Sequence, residues 1–109
     1  MTPGHEWPLR GRVYMTDLRG ERGEKPYLIV SNNARNRILP SYLAVRITTS
    51  QTPPLPSIVE MAPEDPVPGR ALCDDIVILF PEDLRRDLGT LSLETMTRIG
   101  RGLQHALAL

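Results

Sequence analysis

Two short apolar runs joined by a polar turn constrain the fold of this chain more than any other feature. The first run extends from Tyr27 to Val30 and the second from Tyr42 to Ile47, and both are rich in β-branched and aromatic residues. Such runs favour strands. The turn between them is rich in asparagine and arginine, so the segment is predicted to form a hairpin of two core strands.

Prolines and glycines divide much of the remaining chain into short predicted strands. Further strands are expected at residues 11–18, 57–61 and 71–80. The last of these is expected to bend near Asp74 and Asp75. The segments 51–56 and 62–70 are too rich in proline for regular structure and are predicted to be loops.

The C-terminal part of the sequence predicts helices. A short helix is expected over Pro81 to Leu88, with the proline in its first turn. A longer helix is expected to follow Ser92, which is a typical N-cap residue. Its apolar residues recur at three- and four-residue spacing and are predicted to pack into the core as one stripe: Leu93, Met96, Ile99, Leu103 and Leu107. The pattern predicts a mostly β fold, a small antiparallel barrel closed by a C-terminal helix.

The length and composition limit the classes of protein to which the chain can belong. At 109 residues, positions 1–109 are expected to form a single domain, with residues 1–9 as a flexible lead-in. No apolar run is long enough to span a membrane. The single cysteine, Cys73, excludes an internal disulfide and agrees with a reducing cytoplasm. His5 and His105 stand far apart in the sequence and are a poor basis for a zinc site or a two-histidine ribonuclease.

The distribution of charge is more informative than the net charge, which is zero. Eight basic residues lie between Arg10 and Arg46, whereas the segment from Glu60 to Asp87 is mostly acidic. A local basic surface on a neutral protein is one interpretation. An evenly mixed, solvated surface is the other.

Several polar side chains in and after the hairpin are suited to nucleic acid. Asn33, Asn36 and Arg37 can hydrogen-bond phosphates and nucleotide edges, although the asparagines can also bond to their own turn. Arg46 and Thr48 are two apart on a predicted strand, so they share a face. A cation beside a hydroxyl suits a pocket that holds a phosphate and moves a proton. The alternative for Arg46 is an exposed arginine on an edge strand.

An ordered series of short motifs runs from about Arg10 to Leu109. The series comprises G-x-V-Y-x-x-D-L from Gly11, K-P-x-L-I-V-S-N from Lys25, Asn36-Arg37, I-T-T-S from Ile47, Cys73-Asp74 and a terminal L-S-L-E-T-M-T-R-I helix. In order and spacing the sequence resembles the MazF/PemK (Kid) family of toxins of bacterial toxin–antitoxin pairs, in a mycobacterial or actinobacterial form. The resemblance implies an SH3-like barrel, a homodimer and a MazE-like antitoxin as partner.

The resemblance also implies an activity. Members of the family cleave single-stranded RNA without a metal or cofactor, using the 2′-hydroxyl of the RNA as nucleophile. A family arginine before the proline of the second strand maps to Lys25, and a hydroxyl at the end of the third strand maps to Thr48. Lysine keeps the charge but lacks the guanidinium fork. Two possibilities therefore stay open: Lys25 serves as the cation or proton carrier, or Arg46 takes over the phosphate contact.

The resemblance implies RNA contacts at Asp74 and Asp75, and the alternative is an acid pair at the bend of a strand. Ser50 is a candidate for a second hydroxyl contact. The loop from Arg19 to Glu24 is shorter than its family counterpart, which implies a more open groove and leaves mRNA, tRNA and rRNA as candidate targets. Two other functions stay open beside the nuclease. One is a gyrase-binding module of the same fold, like CcdB, and the other is a catalytically inactive scaffold.

Overall fold

The fold is a six-stranded antiparallel sheet carrying one long helix, in a computed structural model that describes residues 7–18 and 23–109. The strands are β1 Arg12–Thr16, β2 Lys25–Ile29, β3 Tyr42–Thr48, β4 Ile58–Glu60, β5 Arg70–Leu79 and β6 Leu84–Thr90. The helices are α1 Asn33–Ile38 and α2 Leu93–Leu107, with a 3-10 turn at Pro81–Asp83. The neighbour order is β4-β5-β3-β2-β1-β6. The predicted class, mostly β with a C-terminal helix, is confirmed.

Alternation along the strands divides the buried side chains between the two faces of the sheet. On one face, Val45 and Ile47 of β3 join a cluster that also contains Ile99 of α2. On the other face, Ala44 of β3 joins a tyrosine-rich cluster. Arg46 and Thr48 lie two and four residues after Ala44, so their side chains are on the same face as that of Ala44. The long helix and these two polar side chains therefore lie on opposite faces of β3.

Helix α2 begins as the sequence predicts but is buried only in its middle. The Ser92 hydroxyl accepts a hydrogen bond from the Thr95 amide, which confirms the N-cap. Ile99 is fully buried, whereas Leu93 is 88% exposed. Leu107 is also exposed. The expectation that the whole stripe is core was wrong at both ends, because the helix extends beyond the strands it packs against, β4 and β5.

Two segments differ from the sequence prediction in secondary structure. Residues 81–83 form a 3-10 turn and residues 84–88 already belong to β6, where backbone pairing with β1 replaces the expected helix. The predicted polar turn contains helix α1, since the Asn32 side chain accepts from the Ala34 amide and caps a short helix. The expected bend in β5 is present as a register shift against β3, between Val45 and Ile47.

The start of the chain is packed where it is described. The Pro8 carbonyl accepts a hydrogen bond from the side-chain Nδ2 of Asn36, and Trp7 packs against the tyrosine-rich cluster. Residues 7–9 of the predicted lead-in are therefore held in place, while residues 1–6 lie outside the described residues, as do residues 19–22 of the short loop. None of the helices in the described part of the chain is long and apolar enough to cross a membrane.

Candidate functional site

Lys25, Arg46, Thr48 and Ser50 line one open cavity of about 370 Å³. Strand register explains why they meet. Tyr27 of β2 pairs with Arg46 of β3, and continuing that antiparallel register by two residues brings Lys25 opposite Thr48. Residues opposite each other on neighbouring strands share a face. The three residues proposed from sequence as catalytic, Lys25, Arg46 and Thr48, are therefore brought together.

The hydroxyl of Thr48 is held in a fixed position at the end of β3. Thr48 is only 9% exposed, and its Oγ1 accepts a hydrogen bond from the backbone amide of Ser50 at 3.1 Å. That bond occupies one lone pair of the hydroxyl oxygen and leaves its proton available for donation. Ser50 itself is exposed. The Thr48 hydroxyl is thus oriented by a backbone amide just beyond the end of its own strand.

Arg46 brings a partly desolvated cation to the same cavity. Its Nε is buried and has no hydrogen-bond partner among the residues that the structure describes. A buried donor without an acceptor is unfavourable by about 1–3 kcal/mol. Arg46 as a whole is only half-buried and lines the cavity, so its guanidinium can meet an anion there. Arg46 therefore brings a positive charge to the cavity that Thr48 also lines.

Gly69 fixes the loop between β4 and β5 against the backbone of Thr48. Its φ is +114°, and a Cβ at this position would lie 2.4 Å from the Thr48 carbonyl oxygen. Only a residue without a side chain fits so close an approach. The sequence marks Gly69 as part of a proline-rich loop but gives no sign of its contact with Thr48, because the two residues meet only in the folded sheet.

Asp65 connects the same loop to the start of α2. Its carboxylate accepts hydrogen bonds from the Ser92 amide at 2.9 Å, the Thr95 hydroxyl at 2.7 Å and the Ala62 amide at 2.6 Å. Burial alone would raise the pKa of Asp65, but these hydrogen bonds outweigh it and lower the pKa below its usual value. The loop is therefore anchored to α2 through Asp65 and to β3 through Gly69.

The predicted RNA contacts on α1 lie away from this cavity. Helix α1 joins the far ends of β2 and β3, opposite the ends that carry Lys25 and Thr48. Asn36 is 1% exposed and bonds to Ser31 and to the Pro8 carbonyl. Because its polar atoms are used inside the fold, Asn36 is architectural, and its assignment as an RNA contact was wrong. Arg37 is exposed, as is Asn33, whose Oδ1 accepts from the Arg10 amide.

The acidic pair and the cysteine lie on β5. Asp74 and Asp75 are exposed within the stretch where β5 loses register with β3. Cys73 is fully buried against α2, and burial, together with the charge of Asp74, raises the pKa of its thiol to about 11. Cys73 is therefore a small core residue. Within residues 7–18 and 23–109, no group of three His, Cys, Asp or Glu side chains is placed to hold a metal ion.

The fold is that of a known class of proteins. The family of PemK-like, MazF-like toxins of type II toxin–antitoxin systems matches residues 9–107. The chain belongs to this family, as the motif series predicted.

Mycobacterial relatives share close to half of the sequence. The chain is 45% identical over 102 residues to endoribonuclease MazF4 of Mycobacterium tuberculosis and to endoribonuclease MazF1 of Mycobacterium bovis, covering 94% of this chain and 94% of each relative. A mycobacterial endoribonuclease solved in complex with its cognate antitoxin has a TM-score of 0.87 and 45% identity, covering 94% of this chain and 96% of that one. The MazE–MazF complex of Deinococcus radiodurans, at 21% identity and a TM-score of 0.79, supports the fold alone.

Proposed function

We propose that this chain is an endoribonuclease toxin that cleaves single-stranded RNA without a metal ion. The observation that carries the proposal is the convergence of Lys25, Arg46 and Thr48 on one cavity. Two cations and an ordered hydroxyl are the groups needed to hold a phosphodiester and stabilise the charge that develops on it. The mycobacterial relatives named as endoribonucleases support the same activity.

The chemistry that suits this cavity is transesterification within the RNA. The 2′-oxygen attacks the adjacent phosphorus and loses its proton, while the bond from phosphorus to the 5′-oxygen breaks and that oxygen gains a proton. The products are a 2′,3′-cyclic phosphate and a 5′-hydroxyl. Arg46 is proposed to bind a non-bridging phosphate oxygen through its guanidinium, and Lys25 to neutralise the second oxygen. The Thr48 hydroxyl is proposed to donate a hydrogen bond to the reacting phosphate.

Recognition of the RNA sequence is proposed to involve exposed residues beside the cavity and on the surrounding surface. Ser50 lines the cavity itself. Asp74 and Asp75 offer acceptors for base edges on β5, and Asn33 and Arg37 offer contacts for a longer strand on α1. We propose that the substrate is mRNA or an unpaired loop of tRNA or rRNA, so that cleavage in the cytoplasm inhibits translation and growth.

The proposed toxin acts as a homodimer controlled by a cognate antitoxin. The single chain leaves three large apolar side chains exposed: Ile78 near the end of β5, Phe80 just after it and Leu93 of α2. A second copy would remove such apolar surface from water. We propose an antitoxin as a partner because a similar mycobacterial endoribonuclease was solved in complex with its cognate antitoxin. Sedimentation at micromolar concentration tests the dimer, and a monomer alone would contradict it.

The proposed reaction is tested by incubating the purified protein with total RNA in EDTA and mapping the new 5′ ends. We expect cleavage at a short recurring sequence, with 5′-hydroxyl termini. Cleavage that requires added magnesium would overturn the proposal. Growth inhibition in cells without RNA cleavage would instead favour a gyrase-binding module, and the gyrase of those cells would then be the target to assay.

A further inference from the structure

A further arginine, Arg70, lies directly beside Thr48 in the sheet. Thr48 of β3 pairs with Arg70 of β5, and Arg70 in turn pairs with Glu60 of β4. The next residues along these strands, Ile47, Ala71 and Val59, are all buried in the cluster that contains Ile99 of α2. Because side chains alternate along a strand, Thr48, Arg70 and Glu60 share the opposite face, where the proposed catalytic cavity lies.

The register therefore places one basic residue on each side of Thr48. Lys25 lies on the β2 side by continuation of the β2–β3 register, and Arg70 lies on the β5 side by direct pairing. Neighbouring strands are separated by about 4.8 Å. Each cationic side chain is long enough to reach an anion that is bound over Thr48 or next to it.

The present partner of Arg70 holds it only weakly. Its guanidinium lies 3.9 Å from the Glu60 carboxylate, and the two side chains are 40% and 68% exposed. Exposed pairs of this kind contribute little stability. A phosphate offers the guanidinium a stronger, charge-assisted pair of hydrogen bonds. Arg70 can therefore exchange Glu60 for a phosphate without disturbing the fold.

A second cavity continues from the first on the Arg70 side. It has a volume of about 580 Å³, and its lining includes Glu60 and Arg70. The two cavities share Thr49, Val67 and Pro68, so they meet at the end of β3. A strand of RNA whose scissile phosphate lies at Thr48 would enter this second cavity with its adjoining nucleotide.

We infer that Arg70 is a second phosphate-binding residue, which holds the phosphate adjoining the scissile one along a single RNA strand. Glu60 competes with that phosphate for the guanidinium and so weakens binding of RNA at this position. The inference rests on the proposed nuclease function, because that function places the RNA strand with its scissile phosphate at Thr48. It extends the proposed site from one phosphate to two.

Binding of a 2′-O-methyl RNA oligonucleotide, measured by fluorescence anisotropy over a series of salt concentrations, tests this inference. Such an oligonucleotide keeps the phosphates but lacks the nucleophilic 2′-hydroxyl. For single strands the slope of log K against log salt is about −0.7 per phosphate neutralised. We expect Arg70→Gln to weaken binding at low salt and to reduce the slope by about 0.7. Glu60→Gln is expected to strengthen binding.

Arg101→Gln is the matched control, because it removes the same charge from an exposed position of α2, on the other side of the sheet. Its slope should equal that of the wild type. An Arg70→Gln slope equal to that of the wild type would overturn the inference while leaving the cleavage proposal intact. If the Arg70→Gln slope falls but the wild type cleaves no RNA, Arg70 is supported and the cleavage proposal fails. A wild type that does not bind the oligonucleotide would contradict both.

Discussion

The substitution Gly69→Ala perturbs the site through the backbone without touching any proposed catalytic side chain. Gly69 has a φ of +114°, and its new Cβ would lie 2.4 Å from the Thr48 carbonyl oxygen, where ordinary contact begins at 3.4 Å. The strained φ alone is unfavourable by about 1–3 kcal/mol. To relieve the contact, the Gly69 loop or the end of β3 must move by about 1 Å, and a shift of this size can lower a catalysed rate by about 100-fold.

Two measurements on one preparation test this prediction: the thermal unfolding midpoint and the single-turnover rate of RNA cleavage. Gly69→Ala is expected to lower both. Gly100→Ala is the matched control, because Gly100 lies within α2 and a Cβ there meets nothing within 4 Å. Alanine in a helix interior is about 0.5–1 kcal/mol more favourable than glycine, so this control should gain stability and keep its rate. A Gly69→Ala protein with wild-type stability and rate would refute the reasoning.

Three further outcomes are expected. Arg46→Met should lower the cleavage rate at least about 10-fold, because it removes a cation from the cavity. The unfolding free energy should stay equal or rise, because the substitution removes an unpaired buried donor. A loss of stability with an unchanged rate would contradict this prediction. Asp65→Asn should destabilise the fold by about 1–3 kcal/mol at neutral pH. The folded pKa of Asp65 is below its unfolded value, so the stability that the ionised carboxylate contributes is present above the unfolded pKa and is lost as pH falls through the folded pKa. The unfolding free energies of the wild type and Asp65→Asn, measured by urea titration, should therefore converge in acid. Cys73, fully buried with a thiol pKa of about 11, should resist alkylation by iodoacetamide at pH 8 until the protein is denatured, and rapid native labelling would contradict its burial.

The sequence predicts strands where β1 to β5 form, but it misses strand β6 and helix α1. The runs that became β2 and β3 carry a strong local pattern, and Ser92 carries a clear capping signal. Residues 81–88 begin with a proline and two acids, which favours the first turn of a helix. Pairing with β1 overrides that local preference, and such pairing cannot be read from a local pattern. Helix α1 is too short to show a helical period and depends on the Asn32 cap.

Some residues of the candidate site could be predicted from the sequence and others could not. Alternation along one strand was sufficient to place Arg46 and Thr48 on one face, and Lys25 was identified through its family motif. The sequence does not identify Gly69 and Arg70 as site residues, because they come next to Thr48 only when β5 pairs with β3. Contacts between strands distant in sequence depend on register, which a single sequence does not specify.

The role of the Thr48 hydroxyl is the central claim, and cleavage by Thr48→Val tests it most directly. Valine keeps the branched shape of threonine and removes only the hydroxyl, although it also leaves the Ser50 amide without its present acceptor. Single-turnover cleavage in EDTA should fall at least about 10-fold, while binding of an uncleavable 2′-O-methyl RNA stays near the wild-type value. Thr48→Ser, which restores the hydroxyl, should recover most of the rate. Wild-type cleavage by the valine variant would contradict the account.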